Sequence, residues 1–213
     1  MSLYDFEKRL IDIAAALFGI LLFSPIMIFF SLFIKLVSSE GPILADIPER
    51  VGKNGKNFRM YKFRSMIPNA YQWLLDHPEI YTKYKENNYK LDADSDPRLI
   101  KGAKFLRNSS IDELPQFFNV LRGQMSMVGP RAYYPFEIDE QTKKFNISQD
   151  LVDEVLSVKP GVTGVWQVSG RSSINFVDRI KMDANYAKKR SILYDLYIIL
   201  KTPYAVISRK GVV

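Results

Sequence analysis

Residues 10–37 read LIDIAAALFGILLFSPIMIFFSLFIKLV, and the only charged residues in this stretch, Asp12 and Lys35, lie near its two ends. A helix that crosses a bilayer needs about 20 consecutive apolar residues, and this stretch is longer. It has no obvious small-residue cleavage site, so it is not a cleavable signal peptide. The stretch therefore predicts a membrane helix.

The pair Ser24-Pro25 lies in the middle of this stretch and leaves two paths open. A single spanning helix is the default, but a proline inside a helix removes a backbone donor and favours a kink. Basic residues also occur on both flanks, which the positive-inside rule would place on one side. A re-entrant helix that bends at Ser24-Pro25 and returns to the same face satisfies both observations. The Ser24 hydroxyl would then help to satisfy backbone groups freed by Pro25. We expect a membrane segment at residues 1–40 and a single domain at residues 41–213.

Composition narrows the function classes. Of the 213 residues, 47% are hydrophobic and 25% are charged, which excludes both a polytopic membrane protein and a disordered one. The net charge of +7 suits an anionic membrane surface, nucleic acid or phosphorylated substrates. No RNA-binding signature or zinc-finger spacing supports nucleic acid. The chain has no cysteine and one histidine, His77, so carboxylates must carry any nucleophilic, acid–base or metal-binding role.

The remaining patterns predict an α+β fold that is mainly helical. Residues 50–56 indicate a small β-hairpin with Asn54-Gly55 at its turn. Helices are expected as an outward pair within residues 68–92, at Asp112–Leu121 with Ser109 or Ser110 as its cap, at residues 148–157, at Asn175–Arg190 and at Ser191–Ser208. The last is either a core helix or an amphipathic helix lying on the membrane, with Lys188, Lys189, Arg190, Arg209 and Lys210 at its flanks.

Chemistry is concentrated around residues 106–116, which read LRNSSIDELPQ. An isolated Asp-Glu pair such as Asp112-Glu113 is most often a helix N-terminus, where negative charge suits the helix dipole. Here Arg107 precedes the pair and Val128-Gly129-Pro130-Arg131 follows it. Arginine binds phosphate oxygens in a planar, two-pronged way, so the pattern indicates chemistry on an anion.

Several motifs in this order resemble the bacterial sugar transferase family, the monotopic phosphoglycosyl transferases that initiate glycan assembly on undecaprenyl phosphate. The resemblance covers nearly the whole chain and fits the small, catalytic-domain form of the family. It rests on Lys62-Phe63-Arg64-Ser65-Met66, Asp96-Pro97-Arg98, residues 110–116 and 119–131, and the stretch from Pro160 to Arg171.

The resemblance implies transfer of a sugar 1-phosphate from a UDP-sugar to undecaprenyl phosphate, with UMP released. Asp112 is then the catalytic nucleophile and a Mg²⁺ ligand, and Glu113 assists it. Arg107, Arg131 and, more weakly, Lys62 are expected to bind substrate phosphates. A nucleotide loop is expected at Gly161, Thr163, Gly164, Gln167, Gly170 and Arg171. Ser24 and Pro25 form the membrane break.

The same resemblance implies a monotopic protein on the cytoplasmic face of the inner membrane, in contact with anionic lipids and not with nucleic acid. A homodimer is possible, and the sugar is not fixed by any residue. Two alternatives remain open. One is a membrane-anchored protein that binds anionic lipid or nucleotide without catalysis. The other is a glycosyl transferase that releases UDP.

Overall fold

The computed structural model describes residues 3–87 and 91–208. The described helices are α1 (Leu3–Val37), α2 (Ala70–Leu75), α3 (Pro78–Glu86), α4 (Ala103–Asn108), α5 (Gln116–Leu121), α6 (Pro135–Lys144), α7 (Gln149–Leu156), α8 (Val165–Ser169), α9 (Phe176–Lys189) and α10 (Ile192–Ile207). The strands are β1 (Arg50–Val51), β2 (Asn57–Phe58), β3 (Ser126–Val128) and β4 (Gly161–Thr163). Short 3-10 turns occupy Lys53–Gly55, Ile111–Glu113 and Arg171–Ser173.

The predicted α+β class, mainly helical, is confirmed. The helix pair within residues 68–92 is present as α2 and α3, and the helices at 148–157, Asn175–Arg190 and Ser191–Ser208 are present as α7, α9 and α10. Residues 88–90 of the predicted pair, and the predicted flanking cations Arg209 and Lys210, lie outside the described residues.

The helix expected at Asp112–Leu121 differs from the prediction. Asp112 lies in a 3-10 turn, and α5 begins only after Pro115. Neither expected serine caps it. Ser110 adopts a left-handed conformation with φ of 57° and its side chain makes no cap bond. The hydroxyl of Ser109 donates back to the Phe105 carbonyl at 2.7 Å, so it closes α4 instead of opening the next helix.

Helix α1 is long and apolar enough to cross a membrane, judged by length and composition. It continues through Pro25 without interruption. Pro25 has no N–H for the carbonyl of Leu21, four residues earlier in the helix. Ser24 Oγ donates to that carbonyl at 2.9 Å, so a hydroxyl supplies the bond that proline cannot. Whether the helix spans or re-enters the bilayer stays a prediction.

Both halves of α1 pack against the rest of the chain. In the first half, Asp12 Oδ1 accepts hydrogen bonds from Ser126 Oγ and from the backbone N–H of Met127, each at 2.9 Å. In the second half, Ile34 is fully buried in a cluster with Phe63 and Leu106. The apolar helix, which is long enough to cross a membrane, is therefore also part of the core.

Two small sheets complete the fold. Strands β1 and β2 form the predicted hairpin, antiparallel, with Arg50 opposite Phe58. Strands β3 and β4 pair in parallel, with Ser126 opposite Gly161 and Val128 opposite Thr163. This parallel pair has no counterpart in the sequence-based expectations, in which residues 160–171 form a loop. It brings two distant segments of the chain to one place.

Candidate active site

The cleft beside the Asp112 turn has a volume of about 250 Å³. Most of the predicted site residues meet there. Those that line it are Lys62, Arg107, Asp112, Glu113, Arg131, Gly161, Gln167 and Arg171. Trp166 and Arg50 line it too, together with apolar side chains such as Met60 and Met125.

Asp112 is buried, with 1% of its surface exposed. Its backbone carbonyl accepts a hydrogen bond from the Phe63 N–H at 2.8 Å, which fixes the turn against the segment that carries Lys62. Lys62 Nζ lies 2.9 Å from Asp112 Oδ2 in an ion pair. This contact places a positive charge directly beside the buried carboxylate.

Glu113 faces the cleft with 41% of its side chain exposed, and Lys62 Nζ donates to its Oε1 at 3.2 Å. One ammonium thus bridges two adjacent carboxylates. Burial raises the pKa of Asp112, and the negative charge of Glu113 adds to the rise, while the charge of Lys62 opposes it. Burial is the largest influence on the pKa of Glu113 and acts to raise it, but Lys62, Arg131 and Arg171 together outweigh burial, so this pKa is lowered. The two carboxyls therefore have different proton affinities.

The predicted phosphate-binding arginines present unpaired donors. Arg107 Nη1 and Arg131 Nε are buried and have no hydrogen-bond partner among the described residues. The backbone of Arg131 is held by Asp183, whose Oδ2 accepts from the Arg131 N–H at 3.1 Å and from the Tyr133 hydroxyl at 2.9 Å. The guanidinium carbon of Arg131 lies 5.2 Å from the centre of the Trp166 ring. These donors suit an anion with several oxygen atoms.

The predicted nucleotide loop is divided between the cleft and the core. Gly161, Gln167 and Arg171 line the cleft, and Thr163, Gly164 and Gly170 are not among its lining residues. Thr163 is buried, and its hydroxyl is 2.8 Å from that of Thr202 in α10. Gly164 packs against the backbone of Gly129, where an added Cβ would lie 2.2 Å from the Gly129 carbonyl oxygen.

Two other motif elements also lie outside the cleft lining. Arg64 donates to the Pro42 carbonyl at 2.6 Å and to the Ser38 carbonyl at 2.6 Å, which fastens the end of α1 to the domain. Asp96 and Arg98 form a two-pronged pair with both contacts at 2.8 Å. Ser24 and Pro25 remain in α1. These contacts show that part of the motif set holds the fold together.

A magnesium ion fits the donors that are present. Among the described residues, no three or more His, Cys, Asp or Glu side chains gather as a metal cluster. Mg²⁺ does not need such a cluster, because it commonly takes one or two carboxylates and completes its shell with substrate phosphates and water. Asp112 and the adjacent Glu113 are the carboxylates that would hold the ion, and Lys62 Nζ lies 2.9 Å from the first and 3.2 Å from the second.

Comparison with known proteins assigns this chain to a family. The model of the family described as "Bacterial sugar transferase" matches residues 3–209. The chain belongs to the bacterial sugar transferase family. The predicted resemblance is thereby confirmed.

Two of the curated relatives of this family member are named for different sugars. "Undecaprenyl-phosphate galactose phosphotransferase" of Salmonella typhimurium is 39% identical over 97% of this chain and 41% of its own length. "UDP-glucose:undecaprenyl-phosphate glucose-1-phosphate transferase" of Escherichia coli is 35% identical over 92% of this chain and 39% of its own. "Exopolysaccharide production protein ExoY" of Sinorhizobium fredii is 32% identical over 96% and 87%. The chain thus spans about two fifths of the first two relatives and most of the third.

Sequence reasoning did not single out Arg50. It starts a two-residue strand, so no local pattern marks it as a site residue. Trp166, which lies within the predicted nucleotide loop, is 9% exposed and lines the cleft. Its ring nitrogen is buried and has no hydrogen-bond partner among the described residues.

Proposed function

We propose that this chain transfers a sugar 1-phosphate from a UDP-sugar to undecaprenyl phosphate at the cytoplasmic face of a bacterial inner membrane. The observation that carries the proposal is Asp112, a buried carboxylate beside Lys62 in a cleft lined by several arginine side chains. Among the described residues, the cleft is lined by five basic side chains and two acidic ones: Arg50, Lys62, Arg107, Arg131 and Arg171, against Asp112 and Glu113. Such an excess of positive charge suits a substrate with more than one phosphate.

In the first step, an oxygen of ionised Asp112 attacks the phosphorus that carries the sugar. A carboxyl–phosphorus bond forms, the bond from that phosphorus to the bridging oxygen breaks, and UMP leaves with the electron pair. In the second step, a phosphate oxygen of undecaprenyl phosphate attacks the same phosphorus and the bond to Asp112 breaks. Undecaprenyl-diphosphate-sugar forms and Asp112 returns as a carboxylate.

The residues of the cleft serve this chemistry by position and charge. Lys62 favours the ionised form of Asp112, which is the nucleophilic form. Arg107 and Arg131 supply the unpaired N–H groups that would bind phosphate oxygens and balance charge during transfer. Mg²⁺ held by Asp112, with Glu113 beside it, would supply further neutralisation of phosphate charge.

Membrane attachment is the second half of the proposal. Helix α1 exposes large apolar side chains to solvent along its length, including Leu17, Leu21, Phe29 and Leu36. Its other side contacts the domain at both halves, which favours a helix that enters and leaves the bilayer on one face. This arrangement would keep the cleft close to a lipid-borne acceptor. Anionic lipids suit the net charge of +7.

The test is nucleotide release by the purified, detergent-solubilised full chain, supplied with Mg²⁺, undecaprenyl phosphate and a panel of UDP-sugars. We expect UMP with at least one donor and no release by Asp112→Asn. Asp46→Asn is the matched control, because that carboxylate is exposed and outside the cleft lining. Incubation with labelled donor alone should leave a phosphosugar on Asp112, detectable by peptide mass spectrometry.

Each alternative gives a different result in the same assay. UDP in place of UMP would indicate direct glycosyl transfer. Full activity of Asp112→Asn would refute the covalent route. Lipid binding without release of either nucleotide across the panel would favour a non-catalytic anchor protein.

A further inference from the structure

Arg50 lies at the start of the hairpin and is 7% exposed. Its Nη1 donates to the Ala132 carbonyl at 3.0 Å. Its guanidinium carbon lies 3.2 Å from the centre of the Tyr134 ring, so the planar group is stacked on an aromatic face. Both contacts are with the segment that follows Arg131, so Arg50 is held next to one of the predicted phosphate-binding arginines.

The contacts that hold Arg50 leave other donors unused. A guanidinium has five N–H groups, and Nε of Arg50 is buried with no hydrogen-bond partner among the described residues. Glu137 is shared by two other arginines, at 3.9 Å from Arg131 Nε and 3.7 Å from Arg179 Nη2. A buried charge without full pairing is costly unless a ligand completes it.

A purely structural role does not account for this arrangement. The hairpin is already joined to the same segment by the Val51 N–H, which donates to the Tyr133 carbonyl at 2.9 Å. A side chain that is needed only for packing would not have to place a positive charge in the lining of the cleft. Arg50 does line it, alongside Arg107 and Arg131.

We propose that Arg50 is a third phosphate-binding arginine of the cleft and contacts the diphosphate of the nucleotide-sugar donor. This inference rests on the proposed function, because it takes a nucleoside diphosphate sugar as the ligand. Stacking on Tyr134 fixes the plane of the guanidinium, so its free edge is ordered before the substrate arrives. Lysine has no such plane and cannot replace it.

The experiment measures binding of UDP, inorganic pyrophosphate and uridine to the full chain in detergent by titration calorimetry. We expect Arg50→Lys to weaken UDP and pyrophosphate by about tenfold or more, the usual range for a charged hydrogen bond. Uridine affinity should stay the same, since uridine carries no phosphate. The matched control is Arg122→Lys, because Arg122 also stacks on a tyrosine, Tyr61 at 5.0 Å, but is exposed and outside the cleft lining.

Unchanged UDP affinity in a folded Arg50→Lys would overturn the inference, as would an equal loss of UDP and uridine binding. If Arg50→Lys does not fold, Tyr134→Leu decides the question, because it keeps Arg50 and removes the ring that orders it. A selective loss of UDP affinity then supports the inference, and no loss overturns it.

Failure of the inference is distinguishable from failure of the proposed function. UMP release with an unchanged KM for the donor in Arg50→Lys would refute the role of Arg50 alone. No UMP release by the wild-type chain, together with a selective loss of UDP binding in Arg50→Lys, would refute the transfer reaction and keep the phosphate contact.

Discussion

Lys62 contacts both carboxylates of the cleft, and this bridging position makes its contribution measurable. Its ammonium lowers the pKa of Asp112 against the effect of burial. Removal of the charge by Lys62→Met should raise the Asp112 pKa further, so that ionised Asp112 becomes scarcer at low pH. The acid limb of the profile of kcat/KM against pH should therefore move to higher pH.

Lys104→Met is the control for that measurement, because Lys104 pairs with Asp94 on the surface and is outside the cleft lining. A Lys62→Met profile that falls by the same factor at every pH would contradict the argument. It would mean that Lys62 acts on the substrate alone.

Asp183 is a second residue whose ionisation we expect to have a measurable effect, in this case on the free energy of unfolding. Burial raises its pKa to about 7, against the hydrogen bonds from Arg131 and Tyr133 and the charge of Arg179. In the unfolded chain an Asp titrates near 4. The folded state thus holds the proton more tightly between about pH 4 and pH 7, and the free energy of unfolding falls as pH rises through this window, by up to roughly 4 kcal/mol.

Asp183→Asn cannot ionise and should flatten that slope, which denaturant titrations from pH 4 to pH 8 would detect. Asp46→Asn, at an exposed position, should leave the slope as it is. A slope that persists in Asp183→Asn would assign the pH dependence to another group.

At the scale of elements, the parallel pair of β3 and β4 depends on glycine. An added Cβ at Gly161 would lie 2.1 Å from the Gly129 nitrogen and 2.3 Å from the Thr163 carbonyl oxygen, both of them backbone atoms. Gly161→Ala should therefore separate the strands and displace Arg131, which follows Gly129 by two residues. We expect a loss of several kcal/mol in stability, measured by denaturant unfolding.

Gly55→Ala provides the comparison. Gly55 has a φ of +74°, but no atom lies within 4 Å of its added Cβ. Its cost should be only the backbone strain of about 1–2 kcal/mol. Equal losses at the two positions would show that the strand contact is more adaptable than the distances indicate.

The residues around Asp112 could be predicted from the sequence because the side chains that act together there are close together along the chain. Asp112 and Glu113 are adjacent, and their arginines are recognisable by type. Sequence reasoning missed the pairing of β3 with β4, because two three-residue strands 32 residues apart leave no periodicity to detect. It missed Arg50 for a related reason: only the folded hairpin brings that side chain to Tyr134.

For the molecule as a whole, the exposed side of α1 should control attachment to lipid. Leu17 and Leu21 are 53% and 76% exposed and lie one turn apart. A charge placed at the centre of a membrane helix costs about 2.5–3.5 kcal/mol, so Leu17→Glu with Leu21→Glu should reduce binding to vesicles of phosphatidylcholine and phosphatidylglycerol. Flotation of the vesicles in a density gradient measures the bound fraction.

A double variant with the same added charge, Thr82→Glu with Ser157→Glu, places it at exposed positions of α3 and next to α7. Its bound fraction should match that of the wild-type chain. If the α1 variant floats equally well, the exposed side of this helix does not enter the lipid.

The hydrogen bonds that Asp12 accepts from Ser126 and Met127 also bear on how the protein folds during its synthesis. Helix α1 precedes every segment that packs on it, so it emerges from the ribosome first. The two sides of the helix would then be covered at different times, the apolar exposed side first and the side that faces the domain later. The proposed membrane attachment of α1 would therefore begin before β3 is synthesised, and the later segments would fold against a helix that is already in place. A truncation that omits α1 would therefore remove the surface against which Phe117 packs, because the Phe117 ring lies beside Gly19 and Phe23.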